Sequence, residues 1–156
     1  MKVLSVMACV LAASMLVVAT GCQKKPEENV DPLETAVKEG DQDKLDDLFD
    51  EAADEAAKKN LANIALRYAA LHNKVDLLPK LIEKGADIKK ANSDGQTPLH
   101  IAALNGNMEM VKALVEKGVD INAKTLVGST PMDDAAGAEK KDVAEYLKQR
   151  GGRSGF

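Results

Sequence analysis

The chain contains no tryptophan, two tyrosines, two phenylalanines, two histidines and two cysteines in 156 residues. Aromatics make up 3% against an apolar fraction of 45%, so a core has to be assembled from Ala, Leu, Val, Ile and Met. Side chains of that size suit helices that approach one another closely. Both cysteines, Cys9 and Cys22, stand near the N-terminus, which leaves the remainder without a disulfide, a thiolate nucleophile or a cysteine metal site. Positive charge is not in surplus: the formal net charge is −4 and the pI is near 5.3. A mildly acidic chain without a basic run has no electrostatic footprint for nucleic acid, and none is expected as a partner. An enzyme needs a nucleophile, a metal or a convergent acid–base set. Beyond Cys22 the sequence supplies only isolated histidines, His72 and His100, and no Gly-rich phosphate loop. No catalytic residue, metal or cofactor is therefore expected.

The first segment stands apart. Met1-Lys2 is a short positive start, followed by the uncharged run VLSVMACVLAASMLVVAT and then Gly21-Cys22. Such a pattern reads as an export signal over residues 1–21. Its ending, Ala19-Thr20-Gly21-Cys22, resembles a bacterial lipoprotein signal, with Ala19 where Leu is commoner. That resemblance implies lipidation at Cys22, loss of Cys9 with the signal, and a membrane anchor made of acyl chains. An ordinary cleaved signal and an uncleaved anchor helix are the alternatives, and all three place the rest of the chain outside the cytoplasm. Removal of Lys2 leaves 20 basic side chains against 25 acidic ones. QKKPEENV, residues 23–30, reads as a polar tether that spans at most ~26 Å. Gln23 follows Cys22 where an Asp would favour inner-membrane retention in such lipoproteins, so the outer membrane is the expected address.

Beyond the tether, the sequence superimposes on itself at a shift of 33 residues, without insertions. Leu33, Leu66, Leu99 and Met132 coincide, as do Ala36, Ala69, Ala102 and Ala135. Leu45, Leu78, Val111 and Ala144 form a third column, and Leu48, Leu81, Leu114 and Leu147 a fourth. Each copy carries the same local grammar. Thr97-Pro98 and Thr130-Pro131 are helix caps followed by proline at the first helical position. Asp31-Pro32-Leu33-Glu34 starts similarly, with Glu34 placed to complete a capping box. A short helix, the turn Asn105-Gly106-Asn107, a second helix and a stop at Gly118 follow, with Asn107 available as the next cap.

These residues, above all Gly95, Thr97-Pro98-Leu99-His100, Ala102-Ala103, Gly106, Val111, Leu114, Gly118 and Asp120-Ile121-Asn122, resemble the ankyrin repeat family. The resemblance implies an all-α solenoid of about four helix-turn-helix repeats, near 31–61, 62–94, 95–127 and 128–152, with loops projecting as fingers. It makes His100 a structural residue at a helix start that reaches a neighbouring repeat. Residues 153–156 read as a disordered tail.

Some copies depart from the pattern. Ala52-Ala53 occupies the place of Gly85-Ala86, so the second helix of the first copy is expected to run on toward Lys58 and to blunt or replace the first finger. Pro79 falls inside a helix that it should bend. Asn73 and Glu139 replace the turn glycine. The last helix, KKDVAEYLKQR, is polar, as a terminal repeat requires. Asp133 reads as the capping partner of Thr130.

By the same resemblance, partners bind through finger tips and the exposed side of the first helices. Those positions are Asn60, Leu61, Asn63, Leu71 and His72 in the second copy. The third supplies Ser93, Asp94, Gln96, Leu104 and Asn105, and the fourth Leu126, Val127, Ser129, Gly137 and Ala138. Apolar residues at exposed places, Leu71, Leu104, Leu126 and Val127, either form a contact patch or pack between repeats. The expected function is a monomeric, non-catalytic protein-binding module at the bacterial envelope, a scaffold or accessory factor for an envelope protein. The competing role is an immunity-type inhibitor of a secreted toxin.

Overall fold

A computed structural model describes residues 31–156, so the export segment, Cys22 and the tether lie outside the described residues. The described chain folds into helix pairs stacked side by side. The helices are α1 (Pro32–Glu39), α2 (Gln42–Asp50), α3 (Glu55–Leu71), α4 (Leu78–Glu83), α5 (Pro98–Asn105), α6 (Met108–Glu116), α7 (Pro131–Gly137) and α8 (Lys141–Gln149), with a 3₁₀ turn at Val75–Leu77. No strand occurs among the described residues. Helices α1, α3, α5 and α7 pack in one row, and their partners pack behind them.

The 33-residue period sets where the chain reverses. Between paired helices it turns at Gly40, Asn73, Gly106 and Glu139, with φ of 75°, 56°, 77° and 59°. The equivalent reversal after the second helix falls at Gly85, Gly118 and Gly151. Asn tolerates the left-handed region, whereas Glu139 adopts it at a steric cost. The core follows the alanine and leucine columns. Ala36, Ala69, Ala102 and Ala135 are fully buried, as are Leu45, Val111, Leu114 and Leu147. In the first copy Phe49 is buried, with Leu48 only partly so.

Four local expectations are corrected. α2 stops at Asp50 and does not continue toward Lys58. Its last turn has no basic residue, and Asp47, Asp50 and Glu51 set negative charge against the negative end of the helix dipole. Asp54 then starts a new helix, its Oδ1 accepting the Ala57 amide at 2.6 Å. Ala52 is not left-handed. The first finger is thus replaced by the early turns of the 17-residue α3, and Asn60, Leu61 and Asn63 are helical residues, not finger tips. Pro79 does not kink a helix. It sits in the first turn of α4, where a missing N–H costs nothing, behind the 3₁₀ turn. Asn107 does not cap α6 with its side chain. Its Nδ2 donates to the Ala70 and Leu71 carbonyls at 2.6 and 2.9 Å, satisfying the end of α3 from the next repeat. Glu34 does not close a capping box. Its Oε1 lies 3.1 Å from His72 Nε2.

The tail is also ordered against the body of the protein, contrary to the expected fraying, through contacts described in the next subsection.

Leu114→Ala should lower unfolding free energy by about 2–5 kcal/mol in denaturant titrations, because Leu114 is fully enclosed between helices. Glu139→Gly should raise it by about 1 kcal/mol by relieving the left-handed position, net of the entropy of glycine.

Candidate functional site

Each finger is a tight loop pinned at its base. In the third copy the Asn92 amide donates to the Gln96 carbonyl at 2.9 Å and Gly95 N–H to the Asn92 carbonyl at 3.0 Å. Asn92 Oδ1 also accepts the Asp94 and Gln96 amides, both at 2.9 Å. One period later, Thr125 N–H donates to the Ser129 carbonyl at 2.9 Å and Gly128 N–H to the Thr125 carbonyl at 3.0 Å. The two fingers are joined by Leu126 N–H donating to the Asp94 carbonyl at 3.0 Å. At Gly95 an added Cβ would meet the Leu126 amide nitrogen at 2.7 Å, so only glycine allows this approach.

The finger is tied to the helix row by His100, which is fully buried. Its Nδ1 accepts the Thr97 amide at 3.1 Å and faces the Thr97 hydroxyl at 2.8 Å. An amide can only donate, so Nδ1 is unprotonated and Nε2 carries the hydrogen, which it gives to the Ser129 carbonyl at 3.3 Å. Burial holds the imidazole below its ordinary value of 6.5, against the opposing pull of the Ser129 carbonyl and of Asp134. His100 thus bonds around the start of α5 and reaches the next repeat.

Asp133 occupies the column of His100 in the fourth copy. Its Oδ2 accepts the Thr130 amide at 3.0 Å, and Thr130 Oγ1 accepts the Asp133 amide, completing a capping box. The same carboxylate takes the tail: Gly155 N–H donates to Oδ2 and the Ser154 hydroxyl to Oδ1, both at 2.7 Å. Partial burial raises Asp133, but the hydrogen bonds from Gly155, Ser154 and Thr130 outweigh it and hold the group at about 2. That stabilisation is present above the ordinary carboxylate value of 3.8 and is lost as pH falls toward 2.

The finger tips and the outer side of the first helices make one exposed face. Leu126 and Val127 are 79% and 78% exposed, and Leu71 and Leu104, one period apart on α3 and α5, are 37% and 43% exposed. Leu126 and Val127 therefore do not pack between repeats. Ser93, Asp94 and Asn105 are exposed, while Gln96, Ser129 and His72 are half-buried. Asp94, Gln96, Thr125, Leu126, Val127, Ser129 and Asp134 line an open recess of about 270 Å³ at the base of the last finger. The Ser129 hydroxyl donates to Asp134 Oδ1 there. A second recess, of about 220 Å³, is lined by Asn60, Asn63, Ile64, Arg67, Lys90 and Ala91. One residue of the expected disordered tail also belongs to this face: Phe156, 85% exposed, lies beside the last finger, its ring within 3.8 Å of where a Gly128 side chain would begin. The signal was present in the position of Gly151, one period after Gly118, and of Asp133 in the His100 column.

No described helix is long and apolar enough to cross a membrane, and no group of three or more His, Cys, Asp or Glu that could hold a metal occurs among the described residues.

Paired helices, left-handed turns and hydrogen-bonded fingers at a constant period define a repeat solenoid with a row of projecting fingers. The chain belongs to the ankyrin repeat family: the family model described as ankyrin repeats, three copies, matches residues 66–154. The match begins within α3, after the segment where the first finger is missing. No curated protein matches the chain.

The protonation of His100 yields a pH prediction. Its pKa is lowered on folding, so the unfolded chain takes up the proton first as pH falls. The contribution is full above about 6.5 and declines below it. The melting temperature should therefore drop between pH 7.5 and 5.5, and His100→Gln should be less stable at pH 7.5 yet lose less over that interval.

Proposed function

We propose that this ankyrin repeat protein is a non-catalytic adaptor, anchored to the bacterial envelope through a lipid on Cys22, that docks an envelope protein on its finger face. Ankyrin repeats indicate a protein–protein interaction module. The observation that carries the docking assignment is the exposure of Leu126 and Val127 at the tip of a finger. The equivalent residues of the preceding finger are Ser93 and Asp94, on the same backbone scaffold. The tip columns thus carry no packing duty, and two large apolar side chains placed there have no use inside the stack. Leu104, Leu71 and the recess between Asp94 and Asp134 extend the face along the helix row, and a partner backbone can reach Gln96, Ser129 and Asn105. The short polar tether keeps the module near the membrane, where a membrane-associated partner is within reach. The outer membrane is the proposed address, and the chain acts as a scaffold or accessory factor.

Two experiments test this. A crosslinking pull-down from intact envelopes compares the native chain with the Leu126→Asp, Val127→Asp double variant. The protein captured by the native chain should bind the purified double variant at least ~10-fold more weakly, a change of about 1.4 kcal/mol, with the melting temperature unchanged. Equal binding would remove the contact from this finger. Separately, fatty-acid labelling should mark the native chain and not Cys22→Ser, which should leave the membrane fraction.

A further inference from the structure

From the body of the last repeat the chain passes to the tail through a polar ladder. Asn122 Nδ2 donates to the Gly151 carbonyl at 3.2 Å and Asn122 Oδ1 accepts the Arg153 amide at 2.8 Å. The Thr130 hydroxyl reaches the Arg153 carbonyl at 2.8 Å, and Lys124 Nζ the Gly155 carbonyl at 3.0 Å. Asp133 takes the Ser154 hydroxyl and the Gly155 amide. Gly152 is buried, and an added Cβ would come within 2.8 Å of the Leu147 carbonyl oxygen. These contacts arise from Thr130 and Asp133 in the fourth copy and from Asn122 and Lys124 in the loop before it, and they use both backbone and side-chain groups of the tail.

The period gives these contacts a meaning. Gly151 is left-handed in the column of Gly118. Residues 153–156 therefore occupy the columns of Asp120, Ile121, Asn122 and Ala123, the limb by which the chain leaves a second helix and climbs into a finger. Between the third and fourth copies the return of that limb is met by His100, whose Nε2 donates to the Ser129 carbonyl at 3.3 Å. In the next position the partner of the limb is Asp133. A histidine N–H seeks a carbonyl; a carboxylate seeks an N–H or O–H. The exchange of His for Asp thus changes what is gripped, from a carbonyl of the returning segment at Ser129 to the hydroxyl and amide of the outgoing limb at Ser154-Gly155.

We infer that Arg153–Phe156 are the outgoing limb of a fourth finger, strapped onto α7 by Asp133 and Thr130, and that this limb sets Phe156 beside Gly128, next to the tip that carries Leu126 and Val127. The strap contributes to stability without any partner. Its consequence for docking rests on the function proposed above, and the test does not.

Gly155→Ala is the selective probe, because its Cβ would run into the Gly128 carbonyl oxygen while every repeat residue stays intact. Deletion of residues 153–156 is the second variant. Hydrogen–deuterium exchange by NMR reads the Arg153 and Gly155 amides, and thermal melting reads the fold. In the native chain both amides should exchange at least ~10-fold more slowly than in a coil. Gly155→Ala should remove that protection. Each variant should lower the melting temperature by about 3 °C. Coil-like exchange in the native chain, or melting unaffected by the deletion, overturns the strap. If the strap holds and only the pull-down with Leu126 and Val127 fails, the docking reading falls alone.

Discussion

The stack depends on one column of alanines. Ala36, Ala69, Ala102 and Ala135 sit at the same place in each first helix, and all are fully buried. A single methyl there lets neighbouring helices approach until the leucines around it interlock. A larger residue would push repeats apart, and each repeat has only its neighbours to lean on. The scarcity of aromatics belongs to the same constraint, since a ring between closely spaced helices would need a space that this packing does not leave. The two tyrosines and Phe156 accordingly lie toward the surface, with Tyr68 bonded to Asp31 across the first two repeats at 2.9 Å. Phe49 is the exception, buried near the end of α2.

Close packing fixes the polar groups as well. Carbonyls and amides at repeat boundaries lose water and need partners from the adjoining repeat. Asn107 satisfies the end of α3, Asn73 Oδ1 accepts the Met110 amide at 3.3 Å, and His100 reaches Ser129. By contrast the ion pairs between repeats, Lys80 and Lys84 with Asp46 at 2.7 and 3.3 Å, lie among partly exposed side chains and contribute little in water. The interfaces are held by burial and by amide-type hydrogen bonds that set register. Charge is left at the surface.

The period and the helix row were legible because they are carried by residues whose roles do not change from copy to copy: alanine, leucine, proline and left-handed glycine. The misread places share a different property. At Asp50–Glu55 two helical segments compete, and an internal cap at Asp54 with unfavourable charge on the helix end decides between them. At Pro79 helix type shifts to accommodate a residue that would otherwise kink it. Asn107 could cap its own helix or staple the previous one, and only the stacked geometry selects. The tail looked like a Gly-rich end because its partners, Asn122, Thr130 and Asp133, are distant in sequence. Local pattern shows which elements exist; competition between local and cross-repeat bonds becomes visible only when the repeats are assembled.

That distinction bears on function. A residue with a partner inside the stack is explained by folding, and His100, Thr130 and Asp133 all have one. Leu126 and Val127 have none for their side chains, although their backbone is as firmly pinned as that of Ser93 and Asp94. Two adjacent fingers thus have one backbone design and opposite tip chemistry, polar on the second and apolar on the third. Folding requires the scaffold and is indifferent to the tips, so the tip chemistry answers to something outside the chain. An apolar tip beside the acidic recess formed by Asp94 and Asp134 favours a partner that offers an apolar anchor with hydrogen-bond donors close by.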